Sequence, residues 1–224
     1  MNARFVTLVL LLFVWLEGDS VWAQYLPKLY QVFSPDKKLK MAIQRHNDGL
    51  LTYTFAANRE ILIKESPVGF KLESQETVPS SGWKIEKVSD RKVRDEWKPL
   101  WGKRAVVEDH FNELVIDLVN PAGQPERMQL VVRGYNDGFA FCYKIPDGEG
   151  PRVNVQSELT AYNFAGDYTA WFYNGENHNI EPEKLTETDG TRLPVMTVKA
   201  GDKHYMAIHE ACLETGAPLV LQSK

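Results

Sequence analysis

Met128-Gln129-Leu130-Val131-Val132-Arg133-Gly134-Tyr135-Asn136-Asp137-Gly138-Phe139-Ala140-Phe141-Cys142-Tyr143-Lys144-Ile145 is the stretch on which the fold class turns. Met128, Leu130 and Val132 recur at every second position. Asn136-Asp137-Gly138 supplies residues that tolerate the positive φ of a tight turn, and Phe139, Phe141, Tyr143 and Ile145 resume the period on the way back. A period of two places alternate side chains on opposite faces of a strand, so these aromatics share one face and Cys142 falls on the other. The same signature stands upstream, where Leu39, Met41 and Ile43 lead into Asn47-Asp48-Gly49 and out through Leu51, Tyr53 and Phe55. Further strand candidates are Ile61–Ile63, Phe70–Leu72, Trp83–Val88, Ala105–Glu108, Glu113–Leu118, Val153–Leu159, Leu193–Val198 and Tyr205–His209. No stretch carries a convincing helical stripe. The pattern predicts an all-β chain, a large antiparallel β-sandwich.

The first residues point to a compartment. Arg4 provides a positive start, Phe5 to Leu16 is apolar apart from Thr7, and Val21-Trp22-Ala23 offers small residues at the −3 and −1 positions of a signal-peptidase site. The apolar run is shorter than the roughly 20 residues a membrane span needs. Residues 1–23 therefore read as a secretory signal, and 24–224 as a mature chain with no membrane span, secreted into the periplasm of a Gram-negative bacterium. Charged residues make up 25% of the chain and are interspersed, and the net charge is −4, so no basic stripe marks a nucleic-acid partner. The 2 cysteines, Cys142 and Cys212, are too few for a disulfide scaffold; a single bridge and two buried free thiols are both open.

Several segments carry chemistry-bearing side chains. Asp95-Glu96-Trp97-Lys98-Pro99-Leu100-Trp101-Gly102 combines two indoles with acids and a lysine, a composition suited to stacking on a sugar face. The alternative, which the Pro-Gly turn favours, is a tryptophan pair packed inward as a plug for the end of the sandwich. Asp109-His110-Phe111-Asn112-Glu113-Leu114 reads as a polar patch or the wet face of a sheet. Asn174 to Gly190 is a long polar connection rich in acids, and Glu73 to Gly82 is a polar loop. The 5 histidines show no paired metal-ligand spacing, which argues against a transition-metal site, whereas Ca²⁺ can draw oxygen ligands from carboxylates scattered in sequence. No Walker loop, dinucleotide fingerprint or nucleophile elbow occurs.

Taken in order, Ser34-Pro35-Asp36, Asn47-Asp48-Gly49-Leu50-Leu51-Thr52-Tyr53, Glu65-Ser66-Pro67-Val68-Gly69, Trp97-Lys98-Pro99-Leu100-Trp101-Gly102, Asp109 to Leu114, Arg133 to Phe141, Glu158-Leu159-Thr160, Phe164 to Trp171 and His209-Glu210-Ala211 resemble the N-terminal domain of glycoside hydrolase family 97. That family comprises bacterial α-glucosidases and α-galactosidases. The resemblance spans essentially all of residues 24–224. It implies a mutarotase-like super-sandwich followed, in the family, by a (β/α)₈ catalytic barrel that holds the acid and the base or nucleophile. It further implies that Glu210, in the His-Glu-Ala segment, reaches toward a Ca²⁺ whose other carboxylate ligands lie on the barrel, and that the partner is an α-linked oligosaccharide. Trp97, Trp101 and Trp171 are the candidate substrate-binding platforms. Family members continue past His-Glu-Ala into further sandwich strands, whereas this sequence stops at Lys224, so the expectation is a sandwich truncated at its C-terminal end, without catalytic residues of its own. A stand-alone carbohydrate-binding module is the alternative. An aldose epimerase, using a His and a Glu on the same sandwich, is a third reading.

Overall fold

The computed structural model describes residues 28–72, 82–121, 125–146, 154–173, 175, 180–211 and 218–223. The predicted signal, residues 1–23, most of the Glu73–Gly82 loop and Cys212 lie outside them. Among the described residues all regular structure is β, as the alternation predicts. The strands are β1 (Leu29–Phe33), β2 (Leu39–Arg45), β3 (Leu51–Ala57), β4 (Glu60–Pro67), β5 (Phe70–Leu72), β6 (Lys84–Trp97), β7 (Val107–Val119), β8 (Arg127–Gly134), β9 (Phe139–Lys144), β10 (Val155–Glu158), β11 (Thr169–Tyr173), β12 (Glu183–Lys184), β13 (Thr191–Ala200), β14 (His204–Ile208) and β15 (Leu221–Gln222). They form three larger sheets, β1-β2-β3-β4, β6-β7-β8-β9 and β12-β11-β13-β14 with β15 also on β13, together with the pair β10-β5. Every pairing is antiparallel.

Two sheets face each other because each has one apolar face to remove from water. Val32, Met41, Ile43, Leu51, Tyr53 and Ile63 from the first sheet meet Leu114, Ile116, Leu118, Met128, Leu130 and Val132 from the second in one buried cluster. Phe139, Phe141 and Tyr143 pack on this cluster, and Cys142 on the opposite face is exposed, so it is not a buried thiol. Phe55 and Phe139 meet edge to face across the two sheets, with centroids 5.6 Å apart. A second cluster, Ala170, Phe172, Met196, Val198 and Ile208, lines one face of the third sheet.

The hairpin turn at Asn47-Asp48-Gly49 shows why glycine stands there. Gly49 has φ +85, and a Cβ on it would lie 2.5 Å from the backbone nitrogens of Gly82 and Trp83. The turn is thus pressed against the start of β6, and Gly82 N–H donates to the Asp48 carbonyl.

Strand boundaries differ from the expected ones where the side chains stop alternating. The candidates Ala105–Glu108 and Glu113–Leu118 are one strand, β7, and the candidate Trp83–Val88 runs on to Trp97 as β6. Their backbones pair without interruption from Val88↔Ile116 to Trp97↔Val107, so the ladder extends through polar sequence that the apolar period does not mark. β1 and β11 carry no strong period-two signal and are additional strands. The acidic connection before Gly190 holds the short β12 and a turn over Leu185–Glu187.

Candidate functional site

β14 ends at Ile208, and the following His209-Glu210 emerges at the surface. One Glu210 oxygen, Oε2, accepts the Leu219 N–H at 3.0 Å, which ties the segment to the chain that leads into β15. Among the described residues no group of three or more His, Cys, Asp or Glu side chains comes together. Glu210 therefore offers one ligand-type oxygen beside a backbone-held one, and the described residues do not fit a Ca²⁺ shell of six to eight oxygens.

The indoles fall in three different settings. Trp83 is buried, with 2% of its surface exposed, and plugs the sandwich where β6 begins. Trp97 and Trp101 stand outside the core at 54% and 88% exposure, which corrects the expectation of a pair packed inward under the Pro99–Gly102 turn. Among the described residues, β8 stops at Gly134 opposite Asn112, and no third strand lies beside the distal part of β6 and β7. Trp171 lies on another sheet. Its neighbours Ala170 and Phe172 face the core of that sheet, so Trp171 points to the outer face, as do Tyr173 on the same strand, Leu193 and Val195 on β13, and Tyr205 on β14. Trp171 is level with Thr197, which is level with Ala207, while Tyr205 faces Lys199 and Tyr173 faces Leu193. The outer face thus carries aromatic rings with threonine and lysine between them, Trp171 half-buried and Tyr173 and Tyr205 exposed, and the register shifts between Trp171 and Tyr173. Tyr173 and Tyr205 did not stand out in sequence, although the spacing Trp171-Phe172-Tyr173 carries the signal, because the apolar Phe172 between them hides the alternation.

Asp109 to Leu114 is neither a simple patch nor a wet face. Phe111 is buried under the Arg133 guanidinium, 4.5 Å above its ring, and against Tyr135. Glu113 is also buried, and its two oxygens accept from Arg91 Nε at 2.5 Å and Arg133 Nε at 2.7 Å, residues level with it on either neighbouring strand. The Arg91 hydrogen bond, then that of Arg133, holds the Glu113 carboxyl below its ordinary range against the opposing effect of burial. His46 Nε2 meets Glu65 Oε1 at 2.5 Å and Thr52 Oγ1 at 3.1 Å. All of these contacts use one ring nitrogen, so the trio lacks the through-ring relay of a nucleophilic triad. Burial pushes the Tyr162 hydroxyl up to about 12 and raises Tyr53 and Tyr143 as well, which keeps all three as neutral hydroxyls in the core.

A family model described as glycosyl-hydrolase 97 N-terminal matches residues 32–224. A protein from Streptomyces bingchenggensis named as a probable retaining α-galactosidase is 26% identical over 215 residues, covering 88% of this chain and 32% of its own. A family 97 glycoside hydrolase from Pseudoalteromonas sp. strain K8, solved with panose, superposes with a TM-score of 0.78 at 25% identity, covering 87% of this chain and 30% of that one. The same enzyme solved with acarbose gives the same TM-score, identity and coverage. The chain thus spans about a third of the length of these relatives.

Proposed function

Because the chain belongs to the glycosyl-hydrolase 97 N-terminal family, we propose that it is the N-terminal domain of a secreted α-glycosidase of the α-glucosidase or α-galactosidase type, contributing to carbohydrate binding and to the rim of an active site. The observation that carries this reading is the family match over residues 32–224 in a chain that spans 30% of the solved relatives. Hydrolysis of a glycosidic bond needs two carboxyl groups flanking it, one acting as acid. In this reading that pair belongs to a (β/α)₈ portion outside the chain, and Glu210 contributes one oxygen to a Ca²⁺ that the same portion completes. Residues 1–23 direct export. The carbohydrate contact is assigned to the outer face that carries Trp171, Tyr173 and Tyr205, where ring faces and hydroxyl or ammonium groups alternate as a sugar's own faces and edges do.

The test joins activity and binding. The purified chain is expected to leave aryl α-glucosides and α-galactosides intact with or without added calcium, and to show a saturable change of tryptophan fluorescence with panose that Trp171→Ala removes. Metal-dependent turnover that stays with this chain through purification would overturn the division of labour. A panose response that survives Trp171→Ala would move the contact elsewhere.

A further inference from the structure

The outer face of the β12-β11-β13-β14 sheet carries a second row beside its aromatic one. Lys184 on β12 is level with Thr169 on β11, Thr169 with Lys199 on β13, and Lys199 with Tyr205 on β14. Residues level with each other in an antiparallel pair share a face. Ala170 and Val198, which follow Thr169 and precede Lys199, lie in the core, so all four side chains of the row point outward. The neighbouring outward row is Trp171, Thr197 and Ala207. Two lysines thus stand beside the indole and the Tyr205 ring.

The charge of this row is not neutralised by its surroundings. Among the described residues no strand position on that face is acidic, the others being Tyr173, Thr191, Leu193, Val195 and Gln222. Lys184 is exposed, and its Nζ donates to the backbone carbonyl of Asp167 at 3.2 Å. It makes no ion pair with a described residue. Lys199 Nζ comes no closer than 4.0 Å to Asp202 Oδ1, on a fully exposed side chain in the turn after β13, and a surface pair of that kind adds little. In a chain of net charge −4, two loosely held ammonium groups are gathered beside aromatic rings.

We infer that this face takes an acidic glycan, an α-linked oligosaccharide whose sugars carry carboxylates, its rings stacked on Trp171 and Tyr205 and its carboxylates paired with Lys184 and Lys199. The inference rests on the assignment of the carbohydrate contact to this face. The two lysines stand on strands two spacings, about 10 Å, apart. That separation suits a chain with a charge on each sugar better than a lone anion, which one ammonium can satisfy. Thr169 and Thr197 offer hydroxyls to those of the sugar. A neutral oligosaccharide can use the rings and the hydroxyls but leaves both ammonium groups to water.

The experiment titrates the purified chain at low salt with α-1,4-linked trigalacturonate and with neutral panose, reading the tryptophan response that depends on Trp171. Trigalacturonate is expected to bind roughly tenfold more tightly than panose, the gain of two exposed ion pairs in the upper part of their usual range. The difference should shrink as salt is raised. Lys184→Gln combined with Lys199→Gln should remove it and leave the panose affinity unchanged, which also shows that the variant is folded. Asp202→Asn, which releases Lys199, should widen it. Trigalacturonate that binds no better than panose, or an advantage that survives the double substitution, would overturn the inference and leave the carbohydrate contact standing. No response to either sugar would overturn both. Inorganic sulfate that competes with trigalacturonate at equal concentration would reduce the row to a simple anion site and overturn the inference as well.

Discussion

Glu113 is a carboxylate with 5% of its surface exposed in the middle strand of a sheet, and it stays ionised because Arg91 and Arg133 meet it from both neighbours. Arg133 also covers Phe111, so its ion pair with Glu113 and the burial of that ring depend on the same guanidinium. The direction of the Glu113 shift fixes the sign of its pH dependence. A carboxyl lowered in the folded state contributes its full stabilisation above its ordinary value of about 4.3, and loses it as pH falls through the folded value. Glu113→Gln is therefore expected to lower stability at neutral pH by about 1–3 kcal/mol, a range kept modest because both arginines reach solvent. The variant and the parent should converge as the medium is acidified below pH 4. Denaturant melts at neutral and acid pH measure this. A gap that stays constant down to acid pH would mean that the ladder contributes through packing and not through charge.

At the scale of elements, β6 and β7 are each two strands in one. Near the body they bury Val88, Leu114, Ile116 and Leu118 against the facing sheet, and farther out they are a bare ribbon. That division was only half legible. Period two marks a strand wherever one face is buried, which is why the hairpins ending in Phe55 and Tyr143 could be read directly. It fails on the ribbon, where beyond Phe111 no described side chain is buried, and on β11, whose core face holds only Ala170 and Phe172. Nor does sequence say which indole is core, since a Trp beside a Pro-Gly turn suits either a plug or an exposed tip. The structure separates them, and stability measures the separation. Trp83→Ala is expected to cost roughly 3–5 kcal/mol, the usual result of emptying a buried aromatic site. Trp101→Ala, at a position 88% exposed, is expected to change the unfolding free energy by less than about 0.5 kcal/mol. Equal costs at the two positions would show that the tip folds back onto the body in solution.

For the whole molecule, the family was legible because many short motifs recur in one order, while the site was not, because its candidate residues are scattered over separate surfaces. Glu210 follows β14, Trp171 stands on the outer face of that sheet, and Trp97 and Trp101 occupy the far end of an arm from another. Metal binding tests whether these pieces are self-sufficient. Calcium affinity grows with the number of carboxylate ligands and the rigidity of the site, and the described residues supply at Glu210 one carboxylate, half engaged by the Leu219 N–H. Calorimetric titration of the chain with calcium is expected to give only weak binding, at about the millimolar level of a site with few charged ligands, and Glu210→Gln should leave that background unchanged. The Leu219 contact allows a second readout. Glu210→Gln keeps an acceptor oxygen for that N–H, whereas Glu210→Ala removes it, so amide exchange at Leu219 should quicken in the alanine variant alone. Micromolar calcium binding abolished by Glu210→Gln would mean that the chain completes a metal site by itself, and the assignment of the remaining ligands to another part of the enzyme would fall.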